Sequence, residues 1–84
     1  MDREAALVKL KTIVKPYIKD REAFNNLSED TDFINDLKIN SANLVDVILD
    51  VEEAFDIVID NASMEKMLDV KTALLIIESK LSEK

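Results

Sequence analysis

The chain has 84 residues and a formal net charge of −7, and it contains no Cys, His, Trp or Gly. These absences exclude a thiolate nucleophile, an imidazole base, the usual zinc sites and the glycine loops that bind phosphates. A chain of this length suits one domain, residues 1–84, which is too small to enclose both a core and a deep catalytic cavity. We therefore expect a binding or carrying role and not an enzyme.

The pattern of apolar residues predicts an all-α fold of four helices, with a long ordered loop between the first two. Apolar residues recur at helical spacing from Arg3 to about Lys19, where Pro16 disfavours continued helix. Residues 20–40 follow no single period, so we expect an ordered loop that packs on the bundle or carries a short helical turn. The second helix, Ser41 to about Phe55, combines one apolar stripe with one acidic stripe.

The last third of the chain predicts a connector and two further helices. Residues 57–59, Ile-Val-Ile, have the composition of a strand, but a strand without a partner would leave its backbone groups unpaired, so we interpret them as a connector. A short third helix is predicted from Asn61 through Met67, and Asp69 is the predicted N-cap of a fourth from Val70 to Lys80. The predicted core comprises Leu37, Ile48, Val51, Phe55, Ile59, Met67, Leu74 and Ile77.

Charge is distributed unevenly along the sequence. Residues 1–21 hold six basic and three acidic side chains, whereas residues 22–84 hold five basic and fifteen acidic ones. Such a surface repels nucleic acid and attracts basic patches on other proteins. No apolar run approaches the roughly 20 residues of a membrane span, and no signal-type segment follows the charged N-terminus. We expect a cytoplasmic monomer that binds no nucleic acid.

Ser41 stands where the loop meets the second helix. Its first interpretation is an N-cap, whose hydroxyl accepts a backbone hydrogen bond, and for most serines at a helix start that is the only role. The acidic side chains that follow have an equally ordinary interpretation as the solvated face of an amphipathic helix. Val45 and Leu49, one and two turns beyond Ser41, are either core residues or contacts for a partner.

The stretch from Phe33 to Leu49, FINDLKINSANLVDVIL, resembles the modification region of acyl carrier proteins. Downstream, residues 52–59 resemble the acidic end of that family's second helix, and residues 64–70 resemble its third helix and the turn after it. The resemblance implies a four-helix bundle of acyl carrier type in which Ser41 carries a covalent 4′-phosphopantetheine arm. A phosphodiester at a helix N-terminus meets unpaired backbone donors and the positive end of the helix dipole.

The resemblance also implies a function and a set of partners. Acyl intermediates are expected to be held as thioesters on the arm and presented to enzymes of fatty acid or related lipid and polyketide synthesis. The expected partners are a phosphopantetheinyl transferase and acyl-transfer and chain-elongating enzymes with basic docking patches. Asn40 and Ala42 depart from the family, which usually has Asp before the serine and Leu after it. The residues expected to contact partners are Asn40, Ala42, Val45, Asp46, Leu49, Glu52 and Glu53.

Two alternatives stay open from the sequence. A carrier of aminoacyl or peptidyl groups has the same arm but other partners, and the acidic second helix favours the acyl carrier over it. An unmodified acidic helical module would dock a basic partner through the same face, with Ser41 only as a cap. No metal site is predicted, because an EF-hand loop starting at Asp30 would have Asn35 in place of Gly and Ser41 in place of the bidentate Glu.

Overall fold

Five α-helices make up most of the computed structural model, which describes residues 2–83. No sheet forms among these residues, whose β-structure is limited to one isolated bridge between Asp32 and Asp69. The prediction of an all-α fold is confirmed. The helices are α1 (Arg3–Val14), α2 (Arg21–Asn25), α3 (Ser41–Phe55), α4 (Asn61–Lys66) and α5 (Val70–Ser82), and a 3₁₀ turn (Lys15–Tyr17) follows α1.

The first helix ends earlier than its apolar pattern predicts. Pro16 has no backbone N–H to donate to the preceding turn, so the last α-helical hydrogen bond runs from the N–H of Lys15 to the carbonyl of Lys11, and the chain then tightens into the 3₁₀ turn. Ile18 then leaves the turn with extended backbone. The helical period of the side chains therefore continues for several residues beyond the helix itself.

The loop between α1 and α3 is ordered, as predicted, and it carries the short helix α2. Asp20 caps α2, and the ring of Phe24 lies under the ammonium groups of Lys11 and Lys15, at 5.3 and 5.9 Å from its centroid. This helix is additional to the four that the periodicity predicts. Its five residues are too few to show a helical period in the sequence.

The second half of the loop is attached to the start of α5 by backbone hydrogen bonds. The N–H of Phe33 donates to the carbonyl of Leu68 at 3.0 Å, and the N–H of Val70 donates to the carbonyl of Thr31 at 3.0 Å. Phe33 itself is buried in the core. The loop segment before α3 is thus held by backbone hydrogen bonds to the residues at and just before the start of α5.

One face each of α1, α3 and α5 is buried in a common core, together with apolar residues of the loop and connector. α1 packs against both α3 and α5. Of the predicted core residues only Phe55 is half-exposed, and the ammonium group of Lys9 covers its ring at 4.8 Å. The residues that α3 buries are Leu44, Val47, Ile48 and Val51.

The connector after α3 is confirmed, with Ile57 and Ile59 buried and Val58 exposed. α4 then begins at Asn61, as predicted, and ends one residue early at Lys66. None of the helices within residues 2–83 has the length and apolar character needed to cross a membrane.

Each of the five α-helices is preceded by an N-cap Asp or Asn whose side chain accepts one or two backbone N–H groups of the first turn. At α5 the N-cap is Asp69, as predicted, and its Oδ1 accepts the N–H of Thr72 at 2.7 Å. Hydrogen bonds from the hydroxyl and then the backbone of Thr72 lower the pKa of Asp69 below its ordinary value.

The Asp69 cap predicts a pH-dependent part of the stability. Because its pKa is lower in the folded chain, the carboxylate stabilises the fold at neutral pH, and this contribution is lost as the pH falls through the folded-state pKa. Asp69→Ala is expected to lower the free energy of unfolding by about 1 kcal/mol at pH 7, and by less in acid. Urea unfolding at pH 7 and at acidic pH tests this, with Asp69→Asn as the variant that keeps an oxygen for the cap. An equal loss at both pH values contradicts the role of the charge.

Candidate functional site

Ser41 is the first residue inside α3, and its side chain is exposed. The prediction that Ser41 is the N-cap is wrong: Asn40 has extended backbone, and its Oδ1 accepts the N–H of Asn43 at 2.8 Å. Asn caps a helix as well as Ser does, and Asn40 stands one residue earlier, so the cap does not use the serine. No hydrogen bond within residues 2–83 involves the Ser41 hydroxyl. It is therefore accessible to a reactant.

The chain before Ser41 is a folded turn of defined geometry. The carboxylate of Asp32 accepts the N–H groups of Ile34 and Asn35, both at 2.8 Å, which is the turn that Asp favours through its short side chain. Leu37 and Ile39, on either side of Lys38, are buried. Buried residues thus fix the backbone that leads into α3.

Lys38 and two backbone N–H groups that are unpaired within residues 2–83 lie at the Ser41 end of α3. Lys38 is exposed, and it is the only charged side chain from residue 37 to residue 45. α3 has no acidic residue in its first turn, and the backbone N–H groups of Ser41 and Ala42 donate no hydrogen bond within the described range. Together with the helix dipole, these groups favour an anion at this end of the helix.

Lys38 has a left-handed backbone, with φ of 59°. This conformation is uncommon for a residue with a Cβ atom, because the Cβ approaches the carbonyl oxygen. The sequence did not predict it, since glycine is the residue that marks such positions and the chain has none.

The exposed side of α3 forms a surface of mixed apolar and acidic character. Val45 and Leu49 are 42% and 51% exposed, so the interpretation of both as core residues is excluded. They lie at helical spacing with the other exposed residues of the same side. We call this surface the α3 face, and it comprises Ala42, Val45, Asp46, Leu49 and Glu53.

Comparison with known proteins gives the family. No family model matches the chain. The acyl carrier protein of Coprothermobacter proteolyticus is 33% identical to it over 84 residues, which is 100% of both chains. The acyl carrier protein of Thermotoga maritima is 33% identical over 79 residues, which is 94% of this chain and 95% of the relative.

The chain belongs to the acyl carrier protein family. It is therefore a carrier with a role in the handling of acyl groups, and not an enzyme. The all-helical bundle is the fold that the family resemblance implies.

Glu52 of this carrier lies at the edge of the α3 face and has a structural contact. It is half-buried, and its Oε2 accepts the N–H of Ile59 at 2.7 Å. Its backbone carbonyl also accepts the N–H of Ile57 at 3.0 Å. The carboxylate therefore attaches the connector to α3, a contact that the local pattern did not predict.

Asp50 is turned away from the α3 face, toward the turn after α1. Its Oδ2 accepts the hydroxyl of Tyr17 at 3.1 Å. That hydrogen bond, burial and the negative charges of Asp50 and Asp46 raise the pKa of Tyr17 above its ordinary value. In the sequence Tyr17 belongs to the apolar stripe of the first helix. Its hydroxyl was the only sign in the sequence that this side chain makes a hydrogen bond as well as apolar contacts.

Glu52 and Glu53 are adjacent, but only Glu52 has a structural contact, so substitutions at the two test whether that contact stabilises the fold. Glu52→Ala removes a hydrogen bond to a charged group and is expected to lower the free energy of unfolding by about 2 kcal/mol. Glu53 is exposed, so Glu53→Ala is expected to change stability by less than about 0.5 kcal/mol. Urea unfolding measures both, and Glu52→Gln, which keeps an acceptor oxygen, is expected to lose less than Glu52→Ala. Equal stability of the two alanine variants contradicts the structural role of Glu52.

Proposed function

We propose that Ser41 is the attachment site of a 4′-phosphopantetheine arm, through which the carrier presents acyl groups to enzymes of fatty acid or related lipid and polyketide synthesis. The observation that carries the proposal is the exposed Ser41 hydroxyl, without a hydrogen bond, at the first position of α3 in a member of the acyl carrier family. The residues around it suit the group, because a phosphodiester there meets the N–H groups of Ser41 and Ala42 and the charge of Lys38.

The modification requires little chemistry from this chain. The Ser41 oxygen forms a bond to the phosphorus of coenzyme A that carries pantetheine, and the bond from that phosphorus to the oxygen of the leaving 3′,5′-ADP breaks. The hydroxyl proton passes to a base of the transferase, since the chain has no His and no side chain is hydrogen-bonded to Ser41 within residues 2–83. Once attached, the arm supplies the thiol that holds acyl groups as thioesters, which a chain without Cys lacks.

The α3 face is the proposed contact surface for the transferase and for acyl-transfer and chain-elongating enzymes. Asp46 and Glu53 attract basic patches, while Val45 and Leu49 offer exposed apolar area beside them. Exposed charges of this kind favour fast, weak and salt-sensitive association, which suits a carrier that visits several enzymes. Ala42 belongs to the same surface, Asn40 and Glu52 border it, and these three complete the proposed set of contacts.

The proposal includes residues 1–84 acting as a single carrier domain. Buried side chains of α1, α3, α5 and the loop form one cluster, and the similarity to the Coprothermobacter carrier extends over the full length of both chains. The monomeric state and the cytoplasmic location stay predictions from the sequence.

Intact-mass analysis tests the attachment site. Incubation of the apo chain with coenzyme A and a broad-specificity phosphopantetheinyl transferase is expected to add the mass of one phosphopantetheine group. Ser41→Ala is expected to show no gain, and Ser63→Ala, which removes a hydroxyl elsewhere, is expected to behave as the unaltered chain. No gain on the unaltered chain contradicts the carrier mechanism, and a gain on Ser41→Ala contradicts the site.

Charge reversal tests the α3 face. Glu53→Lys and Glu78→Lys change the net charge equally, and both residues are exposed, but Glu78 lies on α5. Glu53→Lys is expected to lower kcat/KM of the transferase about fivefold at low salt, as for a loss of roughly 1 kcal/mol, and the deficit should shrink as salt is added. Glu78→Lys is expected to have little effect. Equal effects of the two substitutions would mean that net charge, and not the α3 face, is recognised.

A further inference from the structure

A cavity of about 200 Å³ lies beside the N-terminal end of α3, separate from the α3 face. None of the five residues of the α3 face lines it. It is bounded on one side by the turn after α1 and on the other by the residues around Ser41. Its lining residues are Tyr17, Lys19, Asp20, Leu37, Lys38, Asn40 and Asn43.

Several polar groups in this cavity have no partner within residues 2–83. Lys19 and Lys38 form none of the ion pairs there. The half-buried side chain of Asn43 makes no hydrogen bond, and Asn40 uses only its oxygen, for the cap. Two ammonium groups and two carboxamides thus line one cavity without satisfying each other, beside the carboxylate of Asp20, whose Oδ1 accepts the N–H groups of Glu22 and Ala23. Polar groups in such a position are normally hydrogen-bonded, by water or by a ligand.

The chemistry of these groups matches that of a phosphopantetheine arm. The arm begins with a phosphodiester, which ammonium groups complement, and continues with a hydroxyl and two amides, which carboxamides complement. Its geminal dimethyl group matches the apolar surface that Leu37 and the ring of Tyr17 contribute. The cavity adjoins Asn40 and Asn43, on either side of Ser41 in the sequence, so the first part of an arm at Ser41 is within reach of it.

The other cavities near the surface do not fit as well. A larger depression of about 390 Å³ on the loop is lined by Asp30 and Asp36 and by no basic residue, so it disfavours a phosphodiester. Another, of about 280 Å³, lies at the far end of α3 beside Asp56 and Lys80. Among these three, only the cavity beside Asn40 has more basic than acidic lining residues, Lys19 and Lys38 against Asp20, and only this one lies near Ser41.

We propose that this cavity holds the first part of the arm when no partner is bound, with Lys19 and Lys38 facing the phosphodiester and Asn43 facing an amide. The inference rests on the proposed attachment at Ser41. The arm then rests on the Tyr17 side of α3 and leaves the α3 face clear for docking. Because exposed charge pairs contribute little free energy, the arm is held weakly and a partner can withdraw it.

Nuclear magnetic resonance of the modified chain tests the resting position. Tyr17 is the single tyrosine of the sequence, so its ring protons are identified without ambiguity. Nuclear Overhauser effects are expected between these ring protons and the two geminal methyl groups of the arm. The backbone amides of Lys19 and Asn43 are expected to shift between the unmodified and the modified chain.

Two double variants provide the control. Lys19→Gln with Lys38→Gln removes the charge beside the cavity and is expected to abolish most of the effect at Tyr17, while Lys66→Gln with Lys71→Gln, which removes two exposed charges elsewhere, leaves it intact. On a chain shown by mass to be fully modified, contacts only to Val45 or Leu49, no contacts at all, or contacts unaffected by the first double variant overturn the inference. Absence of any mass gain instead contradicts the attachment itself, so the two failures are distinguishable.

Discussion

Burial of one side of α3 is the constraint on which the candidate site depends. Successive residues of an α-helix are about 100° apart around its axis, so enclosing Leu44, Val47, Ile48 and Val51 in the core fixes the rotation of the whole helix. The side chains opposite to them face solvent as a consequence. A rotation by one residue would bury acidic side chains and expose core residues, at a cost far above the stability of so small a chain. The composition of the α3 face is thus a result of core packing.

The loop that precedes α3 is a second constraint on the position of Ser41. Phe33 is anchored twice, by its buried ring and by its hydrogen bond to Leu68, two residues before α5. The turn organised by Asp32 then leads through the buried side chains of Leu37 and Ile39 to the cap at Asn40. The helix start is therefore coupled to α5, and local unfolding of either segment disturbs the other.

The elements with a long and regular pattern were predictable from the sequence. The start of α3, the connector and the Asp69 cap of α5 followed from periodicity and capping, whereas the site at Ser41 stays a proposal. The identity of the N-cap of α3 was not predictable, because Asn40 and Ser41 are both good N-cap residues and propensity alone does not decide between two adjacent ones. The Tyr17 to Asp50 hydrogen bond joins residues 33 positions apart, and the Glu52 contact crosses a helix end. Such contacts depend on packing that no local pattern describes.

The charges at the two ends of α3 give the helix a direction. Both residues with left-handed backbone flank it, Lys38 before its first turn and Asp56 at its C-cap. Each has the same sign as the end of the helix dipole beside it, and the two lie at opposite ends of a helix that spans about 22 Å. In the proposed docking, a basic patch of a partner is attracted toward the acidic Phe55 end of this helix and away from Lys38, so Ser41 faces the remainder of the partner's surface.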